Sequence, residues 1–188
     1  MFCGSSRGAN SAYGDAAQQM GQLLSERGLG LVYGGGNVGL MGLLADACLN
    51  RGGRVIGVMP KHLAAKEIAH RNLTELHLVG SMHERKALMA DLADAFIALP
   101  GGYGTWEEFC EMLTWSQLGL HRKACALLNV NGYYDPLLSM ADRAVSEELL
   151  KPVHRDLMLH DRDPRRLLDR LSTYLVPNVP KWIDPAER

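Results

Sequence analysis

The sequence carries almost no net charge, since 20 Lys and Arg stand against 21 Asp and Glu in 188 residues. So balanced a chain has neither the basic field that coats a polyanion nor the one-signed excess that keeps a chain unfolded. General nucleic-acid binding and disorder are both disfavoured. Long apolar runs are also missing: the longest, such as residues 95–99 and 124–128, fall far short of the ~20 residues of a membrane span. No basic stretch followed by an apolar one opens the chain, as a secretory signal would, so the expected compartment is the cytoplasm. Cysteine is sparse and scattered. Cys3, Cys48, Cys110 and Cys125 form no C-x-x-C pair, which speaks against a zinc pattern or a dense disulfide framework and predicts reduced, packing thiols. Repeats and linkers are absent too. At ~100–200 residues per domain the length predicts one domain, placed over residues 1–176, with an extended, Pro-bearing tail over 177–188.

What is present is alternation. Short β-rich runs near residues 1–3, 29–33, 54–59, 74–78, 95–99, 124–129 and 157–160 are separated by segments of helical period, the pattern that builds parallel sheets through right-handed crossovers. Most of these runs are nearly unbroken apolar stretches, as strands covered on both faces should be. The expected class is α/β: a single Rossmann-like domain with a parallel sheet of about seven strands and helices on both faces. Ala12, Ala16, Met20 and Leu23 mark one core-facing helical stripe, and Leu138, Ala141, Val145 and Leu149 another. Leu167, Leu168, Leu171 and Leu175 mark a last helix after Pro164.

The informative residues follow the strands: Gly4-Ser5-Ser6, Gly34-Gly35-Gly36, Met59-Pro60, Gly80-Ser81 and Pro100-Gly101-Gly102-Tyr103-Gly104-Thr105. Ligands of open α/β sheets bind outside the carboxyl ends of the strands, so these junctions should converge on one crevice. Gly34 to Gly39 matches G-x-G-x-x-G, yet the next strand ends in Met59-Pro60 without the carboxylate that would bind a ribose, so a dinucleotide cofactor is not expected. Those glycines either contact phosphate or ribose, or only permit a tight turn. The Pro100–Thr105 run is more specific. Gly101, Gly102 and Gly104 let backbone N–H groups turn inward, with Thr105 at the expected N-cap and the helix dipole behind them, which reads as a monophosphate cradle. No Lys follows the last glycine, so P-loop triphosphate chemistry is not supported.

Two charged residues fit their elements poorly. On a helix from Ser81, Arg85 falls inside the stripe made by Met82, Met89 and Leu92 and near the positive end of the dipole. Either it snorkels, or it pairs with an acid such as Asp91 or Asp94, or it meets a ligand; on the sequence alone its removal should not unfold the chain. Lys86, at the edge of the stripe, could be solvated. Ser81 and Glu84 make a capping box. Glu108, three residues after Thr105, completes a second one, or serves as a base or stabiliser held ionised by the dipole. On that helix Trp106, Phe109, Cys110 and Leu113 form the expected sheet-facing side, with Glu108, Met112, Trp115 and Leu118 directed elsewhere. One sheet cannot bury both sides, and a second copy is the commonest cover, so a homodimer is expected.

The paired motifs Pro100-Gly101-Gly102-Tyr103-Gly104-Thr105-Trp106-Glu107-Glu108 and Ser81-Met82-His83-Glu84-Arg85-Lys86 resemble those of the Lonely Guy (LOG) family, often labelled possible lysine decarboxylases. Cys3-Gly4-Ser5-Ser6, Tyr33-Gly34-Gly35-Gly36 and Gly39-Leu40-Met41-Gly42 extend the resemblance over nearly the whole chain. It implies a phosphoribohydrolase that cleaves cytokinin riboside 5′-monophosphates, and often AMP, to free base and ribose 5-phosphate, and it implies a dimer. The implied catalytic pair is Arg85 and Glu108. The expected substrate-binding set is Gly101, Gly102, Gly104, Thr105, Lys86, Met82, Ser5, Gly35 and Gly36. Members of the family carry more residues before the first strand, which implies a truncated strand at 1–3. Decarboxylation would need pyridoxal phosphate on a lysine that the glycine cradle does not single out. N-glycosidic hydrolysis through an oxocarbenium-like transition state needs no metal or redox cofactor. The competing class is a nucleotide or molybdenum-cofactor carrier, which needs the cradle but no catalytic carboxylate.

Overall fold

The computed structural model describes residues 1–64 and 69–177, and the tail expected over 177–188 lies outside them beyond Pro177. In chain order the elements are α1 (Ser11–Glu26), β1 (Leu31–Tyr33), α2 (Gly39–Leu49), β2 (Val55–Pro60), α3 (Lys61–Ala64), β3 (Glu75–Val79), α4 (Met82–Leu92) and β4 (Ala95–Ala98). There follow α5 (Tyr103–Gln117), β5 (Ala124–Leu128), a 3₁₀ turn (Val130–Gly132), α6 (Asp135–Ser146), α7 (Pro152–Arg155), β6 (Met158–Asp161) and α8 (Pro164–Thr173). Local chemistry sets several of the starts. The Asn10 side chain accepts from the Ala12 N–H and Asp163 from the Arg166 N–H, while Pro164 and Pro152 occupy first-turn positions where no N–H is needed.

All strand pairs are parallel, as the alternation predicts, but the single sheet of about seven strands is not formed. There are two three-stranded sheets, β1-β2-β3 and β4-β5-β6. The expected first strand at 1–3 lies between them and is reduced to one bridge, Phe2 with Ala98. Phe2 exchanges two backbone bonds with β4, through Ile97 and Leu99, while toward β1 only the Met1 nitrogen reaches the Val32 carbonyl. So short a segment, turning away at Gly4, makes too few bonds for a ladder. It still brings the two sheets side by side, and the order in which strands are added reverses across it.

Alternation along the strands divides the interior. Ile97, Leu99, Ala126 and Leu128 pack with α1, α2 and α8, while Phe96, Ala98, Cys125 and Leu127 pack with α4, α5 and α6, so helices do cover both faces. β3 departs from the expectation. It is an edge strand, and Leu76 and Leu78 are exposed. Two stripes also end early: α6 stops at Ser146, leaving Leu149 exposed, and α8 stops at Thr173, leaving Leu175 exposed. Among the described residues no helix is long and apolar enough to cross a membrane, and all four cysteines are free.

Candidate functional site

The strand exits converge as the sequence predicts. A cavity of about 690 Å³ opens where the two sheets meet, lined by Cys3, Gly4 and Ser5, by Gly34, Gly36 and Met59, and by Met82, Arg85, Gly102, Gly104, Thr105 and Glu108. This is the crevice at the reversal of strand order where α/β folds hold ligands.

Arg85 and Glu108 find one another across it. Nη1 of Arg85 donates to Glu108 Oε1 at 2.8 Å and Nε donates to the Val58 carbonyl at 3.1 Å, with the two side chains only 13% and 10% exposed. The partner of Arg85 is therefore neither Asp91 nor Asp94. The third guanidinium nitrogen lies over Gly34, where a Cβ would collide with it, so the first glycine of Gly34-Gly35-Gly36 is there for the close approach of Arg85. Gly35, in the left-handed region at φ 76°, makes the turn and does not line the cavity.

The start of α5 differs from the expectation by three residues. Gly102 is the N-cap and Tyr103 the first helical residue, so Thr105 sits within the first turn, buried over Gly101, and no side chain caps this helix. The box of Thr105 with Glu108 is consequently not formed. Glu108 falls in the second turn, beyond the groups that need capping, and capping does not explain it. Its neighbours on the inward side are Thr105, Phe109 and Met112, whereas Trp106 and Cys110 face outward, so the two sides of α5 are rotated from those expected. Burial pushes the Glu108 carboxyl above its ordinary value of 4.5, the Arg85 charge only partly opposing it. That replaces the expectation of a carboxylate held ionised by the dipole, which acts mainly within the first turn. The other box does form: Ser81 Oγ accepts from the Glu84 N–H at 3.1 Å, and Glu84 reaches back to the Gly80 N–H at 2.8 Å.

Lys86 is neither solvated nor part of the cavity wall. It is buried between α4 and α5, bonded to Glu107 and, at 3.0 Å, to Glu111. Burial by itself would lower its pKa, but the bonds its ammonium donates to the two carboxylates, with their negative charge, together outweigh it and the net shift is upward. Gly101 also lies off this cavity and lines a smaller one beside it. Val38, Met41, Leu63, Tyr103 and Glu107 line the main cavity without having been singled out as binding residues. Val38 and Met41 could have been found from the start of α2 after the glycine turn, and Tyr103 from its place inside the Pro100–Thr105 motif. Leu63 carries no signal in the sequence.

The chain matches the model of a family described as possible lysine decarboxylase over residues 41–171. It is 54% identical over 164 residues to the cytokinin riboside 5′-monophosphate phosphoribohydrolase of Rhodococcoides fascians, covering 87% of this chain and 83% of that protein. To the cytokinin riboside 5′-monophosphate phosphoribohydrolase LOG of Oryza sativa subsp. japonica it is 50% identical over 175 residues, covering 93% and 72%. The chain belongs to the Lonely Guy family. Among solved structures, the molybdenum cofactor binding protein of Rippkaea orientalis superposes with a TM-score of 0.68 over 91% of this chain and 93% of that one, at 21% identity. That likeness concerns the fold alone. The decarboxylase label finds no chemical footing in this LOG-family site. Among the described residues no lysine lines the cavity, and Lys86, protonated and doubly paired, is the wrong state for a Schiff base. The described residues do not fit pyridoxal phosphate.

Proposed function

We propose that the chain hydrolyses the N-glycosidic bond of adenine nucleoside 5′-monophosphates, N6-substituted ones included, to free base and ribose 5-phosphate. The observation that carries this reading is the Arg85–Glu108 pair, buried at 2.8 Å on the wall of a cavity that the amino terminus of α5 also lines. An anion cradle and a buried carboxylate in one crevice suit a substrate with a phosphate at one end and a developing sugar cation in the middle. The names of relatives sharing about half of this sequence point the same way.

In this reading Gly102, Gly104 and Thr105 hold the phosphate with N–H groups of the first turn of α5, and Ser5 and Gly36 close the same wall. Glu108 Oε1 is committed to Arg85, and Oε2 is left to orient the attacking water and to stabilise the oxocarbenium-like transition state. The carboxylate has to be ionised for both tasks. Arg85 supplies the countercharge that keeps it so despite burial, and its nitrogen over Gly34 is free to meet a ribose oxygen or the leaving base.

A carrier needs the cradle but not Glu108, so the two functions separate on turnover. Incubation with AMP and with N6-isopentenyl-AMP, followed by chromatography, should show free base accumulating; binding of either nucleotide with no base released would overturn the hydrolase reading. The chain acts in this account as a cytoplasmic homodimer. Tyr103, Trp106 and Leu118 lie exposed along one side of α5, with Leu120 just beyond it, and Tyr103 also lines the cavity, so a second copy covering that side would help enclose the site. This set replaces Met112 and Trp115, since Met112 is fully buried and Trp115 packs inward. Sedimentation equilibrium that gives a monomer with full activity would overturn the dimer.

A further inference from the structure

Two tyrosines of the segment after β5 reach back to the exit of β4. Tyr133 Oη donates to the Gly101 carbonyl at 2.5 Å, and Tyr134 Oη donates to the Leu99 carbonyl at 2.6 Å. Neither residue lines the 690 Å³ cavity. Their placement is built with care: the preceding turn passes through Asn131 and Gly132 in the left-handed region, at φ 51° and 74°. Asn129 fastens it, accepting from the Tyr134 N–H at 2.7 Å and donating to Asp135 at 2.7 Å.

The two carbonyls differ in what shares their peptide plane. In a trans peptide the C=O and the following N–H point in opposite directions, and no peptide among the described residues is cis. The plane of the Leu99 carbonyl ends in Pro100, which has no hydrogen to present. The plane of the Gly101 carbonyl ends in the Gly102 N–H. Gly101 and Tyr133 line the smaller cavity, of about 320 Å³, whereas Gly102 lines both that one and the larger. A carbonyl held toward Tyr133 turns the Gly102 N–H the other way, toward the larger cavity. Among the described residues no acceptor takes that N–H. Between two glycines no side chain resists rotation of the plane, so its direction depends on what grips the carbonyl.

We propose that Tyr133 is a positioning residue for anion recognition, its hydroxyl locking the Gly101–Gly102 peptide so that the Gly102 N–H is presented to the substrate phosphate. The proposal rests on the reading of the cavity as a nucleoside 5′-monophosphate site. Tyr134 is the built-in control, because it grips the same loop in the same way but orients no donor.

Tyr133→Phe keeps the ring and its edge contacts with Tyr13 and Tyr134, at centroid distances of 5.7 and 5.0 Å, and removes only the hydroxyl. The expected result is a KM for AMP raised about tenfold, the worth of one hydrogen bond to a charged group. kcat should change little and kcat/KM for adenosine not at all. Tyr134→Phe should lower Tm yet keep the wild-type preference for AMP over adenosine. A Tyr133→Phe variant that keeps that preference, or a Tyr134→Phe variant that loses it equally, would overturn the proposal. The amide resonance of Gly102 supplies a readout independent of turnover. Inorganic phosphate should shift it in the wild-type chain and not in Tyr133→Phe, and equal shifts in both would overturn the assignment. Failure of the wild-type chain to cleave AMP counts against the hydrolase reading instead, and the amide measurement then decides this one.

Discussion

Arg85 and Lys86 are neighbours on α4, and both send their charge across to α5, but their surroundings differ. The Arg85–Glu108 pair is buried on both sides and opens onto the cavity, with one guanidinium nitrogen and one carboxylate oxygen left over. Lys86 is buried, and of its two partners Glu107 leans toward water at 56% exposed, while Glu111 is 24% exposed with the oxygen that faces Lys86 shut off from solvent. A buried pair with unused donors and acceptors is incomplete without a ligand, whereas a buried cation held by two carboxylates of the next helix and lining no cavity is a clamp between helices. Two adjacent charges in one family motif therefore do different things, one facing chemistry and one holding the frame.

The strongest way to break this comparison is Glu108→Gln. If Glu108 acts as a carboxylate, kcat for AMP falls by ~10²–10⁴ while Tm scarcely moves, because the amide oxygen still accepts from Arg85 and no cap is lost. Near-normal kcat would demote the pair to a second clamp. Arg85→Ala comes next. It strands a buried carboxylate, so urea unfolding should show a loss of roughly 3 kcal/mol together with the loss of activity. This reverses what the sequence alone predicts, where Arg85 is a misplaced cation whose removal relieves a cost; unchanged stability would restore that view.

The pair should also show in pH dependence. The folded pKa of Glu108 lies above its unfolded value of 4.5, so the native state holds the extra proton in the window between them and this group's contribution to stability declines as pH rises through it. Glu108→Gln should lack that decline. The acid limb of kcat/KM should accordingly lie above the ordinary carboxylate range, and a pH profile with its acid limb at or below 4.5 would contradict the assignment. The smallest effect is expected of Lys86→Met. The half-solvated Glu107 regains water and only the enclosed oxygen of Glu111 loses its ion pair, so stability should fall by about 1–2 kcal/mol, less than for Arg85→Ala, and kcat/KM for AMP should change by no more than about threefold. A loss comparable to that of Arg85→Ala would place Lys86 in the site after all.

Much of the site was legible because its signals are local. The capping box of Ser81 and Glu84, the glycines after β1 and β4, and the misfit of Arg85 in an apolar stripe can all be read within one or two turns. Reading failed where two local signals competed. Thr105 looks like an N-cap, but Gly102 already adopts the extended conformation a cap needs, so the helix begins earlier and every side chain after it turns to another direction. That shift of three residues moved Glu108 from cap to core and Trp106 from core to surface. Lys86 was misplaced for a related reason, since a lysine at the edge of a stripe looks solvated until a second helix brings two carboxylates to it.

By itself the sequence determined the elements and their order, the parallel pairing, the crevice at the strand exits and the identity of its two central charges. Hydrophobic period, turn chemistry and burial preference act over a few residues and need no partner to be read. Only the tertiary structure decided that Glu108 is the partner of Arg85, that Gly34 makes room for the guanidinium, and that two tyrosines grip the carbonyls of the β4 exit. It also decided that residues 1–3 join the sheets by one bridge instead of a full strand. These are contacts between segments far apart in the chain, and their geometry is settled by how packed elements fit, at distances no spacing in the sequence encodes.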